Sequence, residues 1–390
     1  MKNTLKKMDM PLIIVTILIS SIGLLMVFSS SSIAAILRYN RGPEYFFVRQ
    51  SIFFAIAFIA GLIILKIPTK WYNKISWFLI IGIIASLILL LLYGTITNHA
   101  QSWFYVPVIG FALQPAEFAK SILILFMATY YGYLIRKKTT KQYLYYIPVC
   151  FALILAALIA IQPDLGSALI LMGIAFCIFV SIPLIKKSVR NTLMIIVATA
   201  IILLVILLYS GSGILTKSSS DILNSEQTSR FIFRNPCQRY KQKTGYQVCN
   251  GFIAINNGGL TGVGIGNSSQ KYMYLPESHT DFIFAILVEE LGLIIGLIVL
   301  LLYAYMLYRI YKIAMNAYNI RNSIIAYGTF WFFFLHILIN LSGMMALLPL
   351  TGVPLPLLSY GGSSTINFLV MIFLTERVAI ENNIQKYANS

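Results

Sequence analysis

Residues 11–29 read PLIIVTILISSIGLLMVFS, a run with no charged side chain and only Thr16, Ser20, Ser21 and Ser29 as polar ones. At 1.5 Å of rise per residue a helix of this length covers roughly 28 Å, close to the ~30 Å hydrocarbon thickness of a bilayer. Comparable runs recur near 50–66, 76–94, 118–135, 144–161, 165–184, 191–209, 282–305, 323–344 and 362–376. The composition agrees: of 390 residues 59% are hydrophobic and 11% charged, with a mean hydropathy of +0.83, where a soluble domain carries about 25% charged residues. Soluble globular classes are excluded. So are a disulfide scaffold, with only 4 Cys, and a disordered chain. The expected fold is an all-α polytopic membrane protein of about ten transmembrane helices, forming a single integral membrane domain over residues 1–390.

Charge sets the expected orientation. There are 29 Lys and Arg against 12 Asp and Glu, a net +17. On a soluble protein that excess would suggest nucleic acid. Here the cations sit in short clusters between apolar runs with no nucleic-acid-binding motif, so no nucleic-acid partner is expected. Eighteen of the 29 fall on one side, in clusters such as Lys66, Lys70 and Lys74 or Arg136, Lys137, Lys138 and Lys141. The short loops of the other side hold Arg38, Arg41, Arg49 and Lys120. By the positive-inside rule both termini are expected in the cytoplasm, with 210–281 as a long extracellular loop. With nine further runs behind it, the first run is expected to be a retained helix rather than a cleaved signal peptide. No internal repeat points to an inverted-repeat transporter. Among the carboxylates only Asp9, Glu376 and Glu381 belong to the cytoplasmic side, and Glu289 and Glu290 lie about 12 Å into a span, suited to interhelical hydrogen bonds. Any acid–base chemistry is therefore expected outside.

The outer segments hold the candidate chemistry. Gln101-Ser102-Trp103 is followed by Gln114-Pro115-Ala116-Glu117-Phe118-Ala119-Lys120. Pro115 fits the first turn of a helix, and Glu117 and Lys120 share a face at i,i+3. The pair reads either as a helix-start Glu with a snorkelling Lys, or as a groove that takes an anionic head group. Gln162-Pro163-Asp164-Leu165-Gly166 is a tight outer turn whose Asp164 is a candidate helix cap or binding residue. Arg230, Arg234, Arg239, Lys241 and Lys243 make a basic stretch suited to phosphate or to plain solvation. Cys237 and Cys249 lie in a compartment that permits a disulfide, although spacing alone does not show one. Cys150 and Cys177 read as small core residues. Gly258, Gly259, Gly262, Gly264 and Gly266 would let backbone N–H groups approach a ligand.

Glu277-Ser278-His279-Thr280-Asp281 runs directly into an apolar helix. There Asp281 is partly desolvated and suited to accept a proton from a hydroxyl, while also fitting as a helix cap. His336 and Asn340, four apart in a span, read as a packed polar pair. Finally, 345–361 holds Pro349-Leu350-Thr351-Gly352-Val353-Pro354-Leu355-Pro356 and ends in Ser359-Tyr360-Gly361. Such density of Pro and Gly precludes a continuous helix, and non-helical backbone at membrane depth must be buried in protein or line a cavity. It is expected to be a re-entrant outer wall beside the site.

Together these motifs, with Val27-Phe28-Ser29-Ser30 and Ser359-Tyr360-Gly361-Gly362-Ser363, resemble the SEDS family (FtsW/RodA/SpoVE) of bacterial wall-synthesis proteins over almost the whole chain. Gly264-Ile265-Gly266-Asn267-Ser268 and Lys271-Tyr272-Met273-Tyr274-Leu275-Pro276-Glu277 are closer to its division branch (FtsW) than to its elongation branch (RodA). Ala116 and Ser102 stand where the family more often has Ser and Arg. The resemblance implies ten spans and a peptidoglycan glycosyltransferase that polymerises lipid II on the outer face of the bacterial cytoplasmic membrane, here for septal division. The family's essential Asp falls on Asp281. Its signature Trp falls on Trp103, and its Gln-Pro-x-Glu-x-x-Lys positions on Gln114, Pro115, Glu117 and Lys120. Asp164, Glu277, His279 and Ser359 complete the expected substrate-binding set. The leaving group would be polyprenyl pyrophosphate, whose charge calls for cations or a divalent metal, Mg or Mn, although no metal cage is visible in the sequence. The implied partners are a class B penicillin-binding protein (a transpeptidase) and other divisome membrane proteins. The competing readings are a lipid II flippase and a RodA-type elongation polymerase.

Overall fold

In a computed structural model, the structure describes residues 7–93, 95–97, 100–106, 111–139, 141–183, 190–195, 199, 235–241, 243–276 and 278–388. The helices are α1 (Met10–Tyr39), α2 (Tyr45–Lys66), α3 (Tyr72–Tyr93), α4 (Pro115–Arg136), α5 (Ile147–Ile161), α6 (Leu165–Ser181), α7 (Lys243–Gly258), α8 (Ile283–Met315), α9 (Ile320–Met344) and α10 (Gly362–Ala388). Eight are long and apolar enough to cross a membrane: α1 to α5, α8, α9 and α10, with α3 and α5 counted together with the short 3₁₀ turns that lead into them. Helix α6 is a shorter apolar helix. The expected run at 191–209 lies largely outside the described residues.

Local chemistry sets the helix ends. The Asp9 carboxylate accepts from Leu12 N (3.1 Å) and Pro11 occupies the first turn of α1. Asn40 closes α1 in the left-handed region at φ 49°, a conformation Asn tolerates better than most residues. Pro115 opens α4, as expected.

The distribution of polar residues decides which helices are central. In α10, α4 and α9, 78%, 67% and 61% of the apolar window is buried, against 28% in α2, α3 and α5. Helix α4 carries Glu117, Lys120, Ser121 and Thr129, and α10 carries Ser363, Thr365, Asn367, Thr375 and Glu376, all buried. Lipid cannot satisfy such groups, so the helices that bear them are covered by protein over more of their length than α2, α3 and α5. Cys150 departs from its expected core position, since it is exposed on the outer helix α5.

The end that holds the termini is fastened by ion pairs. Arg309 donates to both Asp9 oxygens (3.0 and 2.6 Å), and Asp9 N donates to Glu376 Oε2 (2.9 Å). Glu381 accepts from Thr69 N, Thr69 Oγ1 and Asn322 Nδ2 (2.8, 2.6 and 2.9 Å). Two features of the opposite end have no counterpart in the sequence reading. One is a three-stranded antiparallel sheet of β1 (Thr95–Thr97), β2 (Ala100–Val106) and β3 (Phe111–Leu113), in which Phe104 pairs with Leu113. The other is α7, which packs on α8 and is joined by the Cys237–Cys249 disulfide to a 3₁₀ turn at Pro236–Arg239.

The glycine-rich loop after α7 does not hold its N–H groups for a ligand. Helix α8 breaks at Gly292 (φ 86°, ψ 166°), which strips the Glu289 and Glu290 carbonyls of helical partners. Val263 N and Gly264 N donate to them (3.0 and 2.9 Å), and Leu293 N donates back to Gly259 O (3.0 Å). The loop thus completes the broken helix. As expected, the two carboxylates bond between elements. Glu289 accepts from Ser268, Ser269 and Asn257, and Glu290 from Ser29 and Lys271. Gly262 sits at φ +80°, and an added Cβ would stand 2.3 Å from Glu290 O. Gly262→Ala is therefore expected to lower stability by ~1–3 kcal/mol, read as a fall in the thermal midpoint in detergent. Gly82→Ala, with open space around its position on α3, should leave the midpoint unchanged.

Candidate functional site

Asp281 lies at the entry to α8, on a stretch held by the Ser278 side chain and by the backbone carbonyls of His279, Thr280 and Asp281. Ser278 Oγ donates to Ser30 O (3.1 Å). Tyr360 N donates to His279 O (2.9 Å), Ser359 Oγ to Thr280 O (2.6 Å), and Asn340 Nδ2 to Asp281 O (3.1 Å). Asp281 does not occupy the cap position of α8. That place belongs to the fully buried Phe282, which makes no side-chain cap bond. The Asp281 carboxylate instead faces Gly352, where an added Cβ would come 3.5 Å from Oδ2. Asp281 is half-buried and Gly352 is exposed, so the carboxylate sits at an opening rather than in the core.

The wall opposite is 345–361, which is non-helical as expected. Gly352 takes φ +73°, a conformation open to glycine at little cost. Val353, Leu355, Leu357 and Leu358 are buried, and the polar backbone around them is satisfied. Leu355 N donates to Ser359 Oγ (2.9 Å), Tyr303 OH to Pro356 O (2.5 Å), and Asn340 Nδ2 to Val353 O (2.8 Å). Gln50 of α2 is buried at the far edge of the wall, accepting from Gly361 N (3.2 Å) and donating to Thr365 Oγ1 (2.9 Å). Ser359 thus joins the wall to the Asp281 stretch. The His279 ring packs against Phe46 and Tyr360 (4.7 and 5.7 Å between centroids), and the Arg49 guanidinium lies over the Tyr45 ring at 4.7 Å.

The two Gln-Pro turns meet. Gln114 Nε2 donates to Asp164 Oδ2 (2.8 Å), while Asp164 Oδ1 accepts from Ser167 N (3.0 Å) as the cap of α6. One carboxylate therefore both caps a helix and ties the α4 turn to the α6 turn. Gln114 N also donates to Ser363 Oγ (2.9 Å), but Gln162 turns away to Leu87 O (3.0 Å). An added Cβ on Gly166 would stand 2.9 Å from Val353 Cγ2 and 3.1 Å from Thr351 O. The α6 turn is thus pressed against the strip that faces Asp281, and contacts run from Gln114 through Asp164 and Gly166 to Gly352.

The expected groove position of Lys120 is not what the structure shows. Lys120 has no exposed surface and does not snorkel. Its Nζ lies 2.7 Å from Glu117 Oε1 and 3.1 Å from His336 Nε2. His336 Nδ1 is 2.7 Å from Phe332 O. A carbonyl only accepts, so Nδ1 carries the proton and Nε2 accepts from the ammonium. His336 and Asn340 are not a pair either, since one turns to Lys120 and the other to Asp281 and Val353.

Trp103 is half-buried in β2, opposite Thr95. Glu277, Arg230 and Arg234 lie outside the described residues, as does the side chain of Lys243. Asn340, Gln50 and Gly352 are the contributors that sequence reasoning missed. The signal for Gln50 was a lone amide in an apolar run.

Comparison with known proteins follows the same outline. The sequence profile described as "Cell cycle protein" (FtsW/RodA/SpoVE) matches residues 9–384. The Bacillus subtilis protein named "Probable peptidoglycan glycosyltransferase FtsW" is 35% identical over 95% of this chain and 90% of its own length. The Bacillus subtilis "Stage V sporulation protein E" is 34% identical over 93% of this chain and 94% of its own. Among solved structures, a chain from a peptidoglycan synthase complex superposes with a TM-score of 0.73 at 22% identity, covering 96% of this chain and 98% of that one. Thermus thermophilus RodA superposes with a TM-score of 0.64 at 22% identity, covering 95% and 96%. At these identities the structural matches speak for the fold.

Proposed function

The chain belongs to the FtsW/RodA/SpoVE family of cell cycle proteins, and we propose that it polymerises lipid II into glycan strands on the outer face of the bacterial cytoplasmic membrane, with Asp281 as the general base. It is a multi-pass membrane peptidoglycan glycosyltransferase. The finer reading rests on one observation: a half-buried carboxylate at an opening, on backbone whose carbonyls are anchored at His279, Thr280 and Asp281. The acceptor's sugar hydroxyl attacks the donor's anomeric carbon as its proton passes to Asp281. The new glycosidic bond forms while the bond from that carbon to the pyrophosphate oxygen breaks, and polyprenyl pyrophosphate leaves with the electron pair. One base and a single displacement give inversion at the anomeric carbon.

The pyrophosphate charge is the larger electrostatic demand. Arg49, tied to the same wall through its neighbour Gln50, is a described cation at this end, and Lys120 would have to leave its buried pair to contribute. A divalent cation, Mg or Mn, bound together with the pyrophosphate would offset part of that charge. Gln114, Asp164, His279 and Ser359 shape and fasten the walls; Glu117 pairs with the buried Lys120, and Trp103 and Glu277 stay in the substrate-binding set from their motifs.

Identity of 35% to an FtsW and the Tyr274-Leu275-Pro276 motif support a septal role over elongation. The occurrence of the fold in a peptidoglycan synthase complex supports a class B penicillin-binding protein as transpeptidase partner, alongside other divisome membrane proteins. Cation-rich loops on the side of the termini support both termini being cytoplasmic. The test is to reconstitute the full chain with its transpeptidase in liposomes and supply labelled lipid II. Glycan strands without lipid translocation are expected, and translocation without strands would replace the polymerase with a flippase.

A further inference from the structure

We propose that Asn340 is a positioning residue for the reaction, whose single amide group sets the gap between Asp281 and the wall it faces. The inference rests on the assignment of Asp281 as general base. Asn340 sits on α9 and is buried. Its Nδ2 donates to two acceptors on different segments, Asp281 O at 3.1 Å and Val353 O at 2.8 Å. Both are carbonyl oxygens, so only the NH₂ end of the amide can face them, and the orientation of the side chain is fixed by chemistry. Its two N–H groups are thereby used, while Oδ1 has no partner among the described residues.

The two bonds act on opposite sides of the opening. One fixes the main chain of Asp281. The other fixes Val353, the residue after Gly352, which faces Asp281 Oδ2. A general base must stand within hydrogen-bond reach of the proton it takes, about 2.6–3.2 Å, and a misplacement of 1 Å costs roughly a hundredfold in rate. Ser359 Oγ reinforces the same junction one residue earlier, at Thr280 O (2.6 Å). Neither side chain needs to touch the sugar. Asn340 acts through the place it gives the carboxylate.

The control lies on the same helix. Asn322, also buried, donates to Glu381 Oε2 (2.9 Å) at the end of α9 that holds the termini, far along the helix from Asp281. The experiment measures lipid II polymerisation by the full chain with its transpeptidase, as kcat and KM, beside the thermal midpoint. Parent, Asn340→Ala, Asn340→Leu, Asn322→Ala and Asp281→Asn are compared. Asn340→Ala is expected to lower kcat about a hundredfold with KM within about twofold of the parent. Asn322→Ala should lower the midpoint and keep kcat. If Asn340→Ala does not fold, Asn340→Leu, similar in size but without the N–H donors, takes its place: a kcat loss without a KM change supports the proposal, and a parent-like kcat overturns it. A folded Asn340→Ala with parent kcat, beside an inactive Asp281→Asn, overturns this inference alone. A fully active Asp281→Asn overturns the assignment beneath it.

Discussion

Lys120→Met is expected to destabilise the folded protein by about 3–5 kcal/mol, the range for removing one partner of a buried ion pair. The Glu117 carboxylate is buried, and its Oε2 has no hydrogen-bond partner among the described residues. The ammonium 2.7 Å from Oε1 is its nearest compensation, and His336 Nε2 stands 4.0 Å from Oε2. Without Lys120 a carboxylate is left uncompensated in the middle of the bundle. Size-exclusion profiles and thermal midpoints in detergent would read the loss. Glu117→Gln combined with Lys120→Met removes both charges and should recover most of the stability, because the pair's desolvation penalty is removed together with its attraction. If the double variant is as unstable as Lys120→Met, the loss does not come from an uncompensated Glu117 charge. Turnover still missing in a stable double variant measures what the charged pair gives to the reaction.

Nine of the ten expected runs appear as helices in the expected order among the described residues, because apolar length is a direct physical requirement of the bilayer, and the residues that break that pattern mark the candidate site. Asp281, Gln114, Asp164 and Ser359 stood out as polar groups beside apolar runs. What stayed illegible depends on contacts between segments far apart in sequence. Nothing in the local pattern says that Asn340 turns to Asp281 and Val353 while His336, one turn earlier, turns to Lys120. The glycine-rich loop misled for a related reason. Its N–H groups are free in any local reading, and only the break at Gly292 of α8 shows which carbonyls they serve. Lys120 was read either as a snorkelling cation or as part of a groove that takes an anionic head group. A neighbouring Glu and a His from another helix remove the need for either. The small sheet at 95–113 escaped because its strands are three to seven residues long.

Asp281→Asn is expected to slow polymerisation by 10²–10⁴-fold, the usual contribution of a general base, which corresponds to about 3–5 kcal/mol on the barrier. Asn has nearly the same shape, and the tether at Asp281 O is a main-chain bond, so the bond from Asn340 and the packing of Phe282 are retained. The ability to accept the proton is lost. KM for lipid II should change little, since the walls around the opening are unaltered. The thermal midpoint should match the parent for the same reason.

The most direct measurement is glycan strand formation from lipid II in liposomes. The purified chain and its transpeptidase would be set beside the same pair carrying Asp281→Asn, with no other polymerase present. Strands from the parent and none or only traces from the variant are the predicted result. Equal strands from both would contradict it and move the general base away from Asp281.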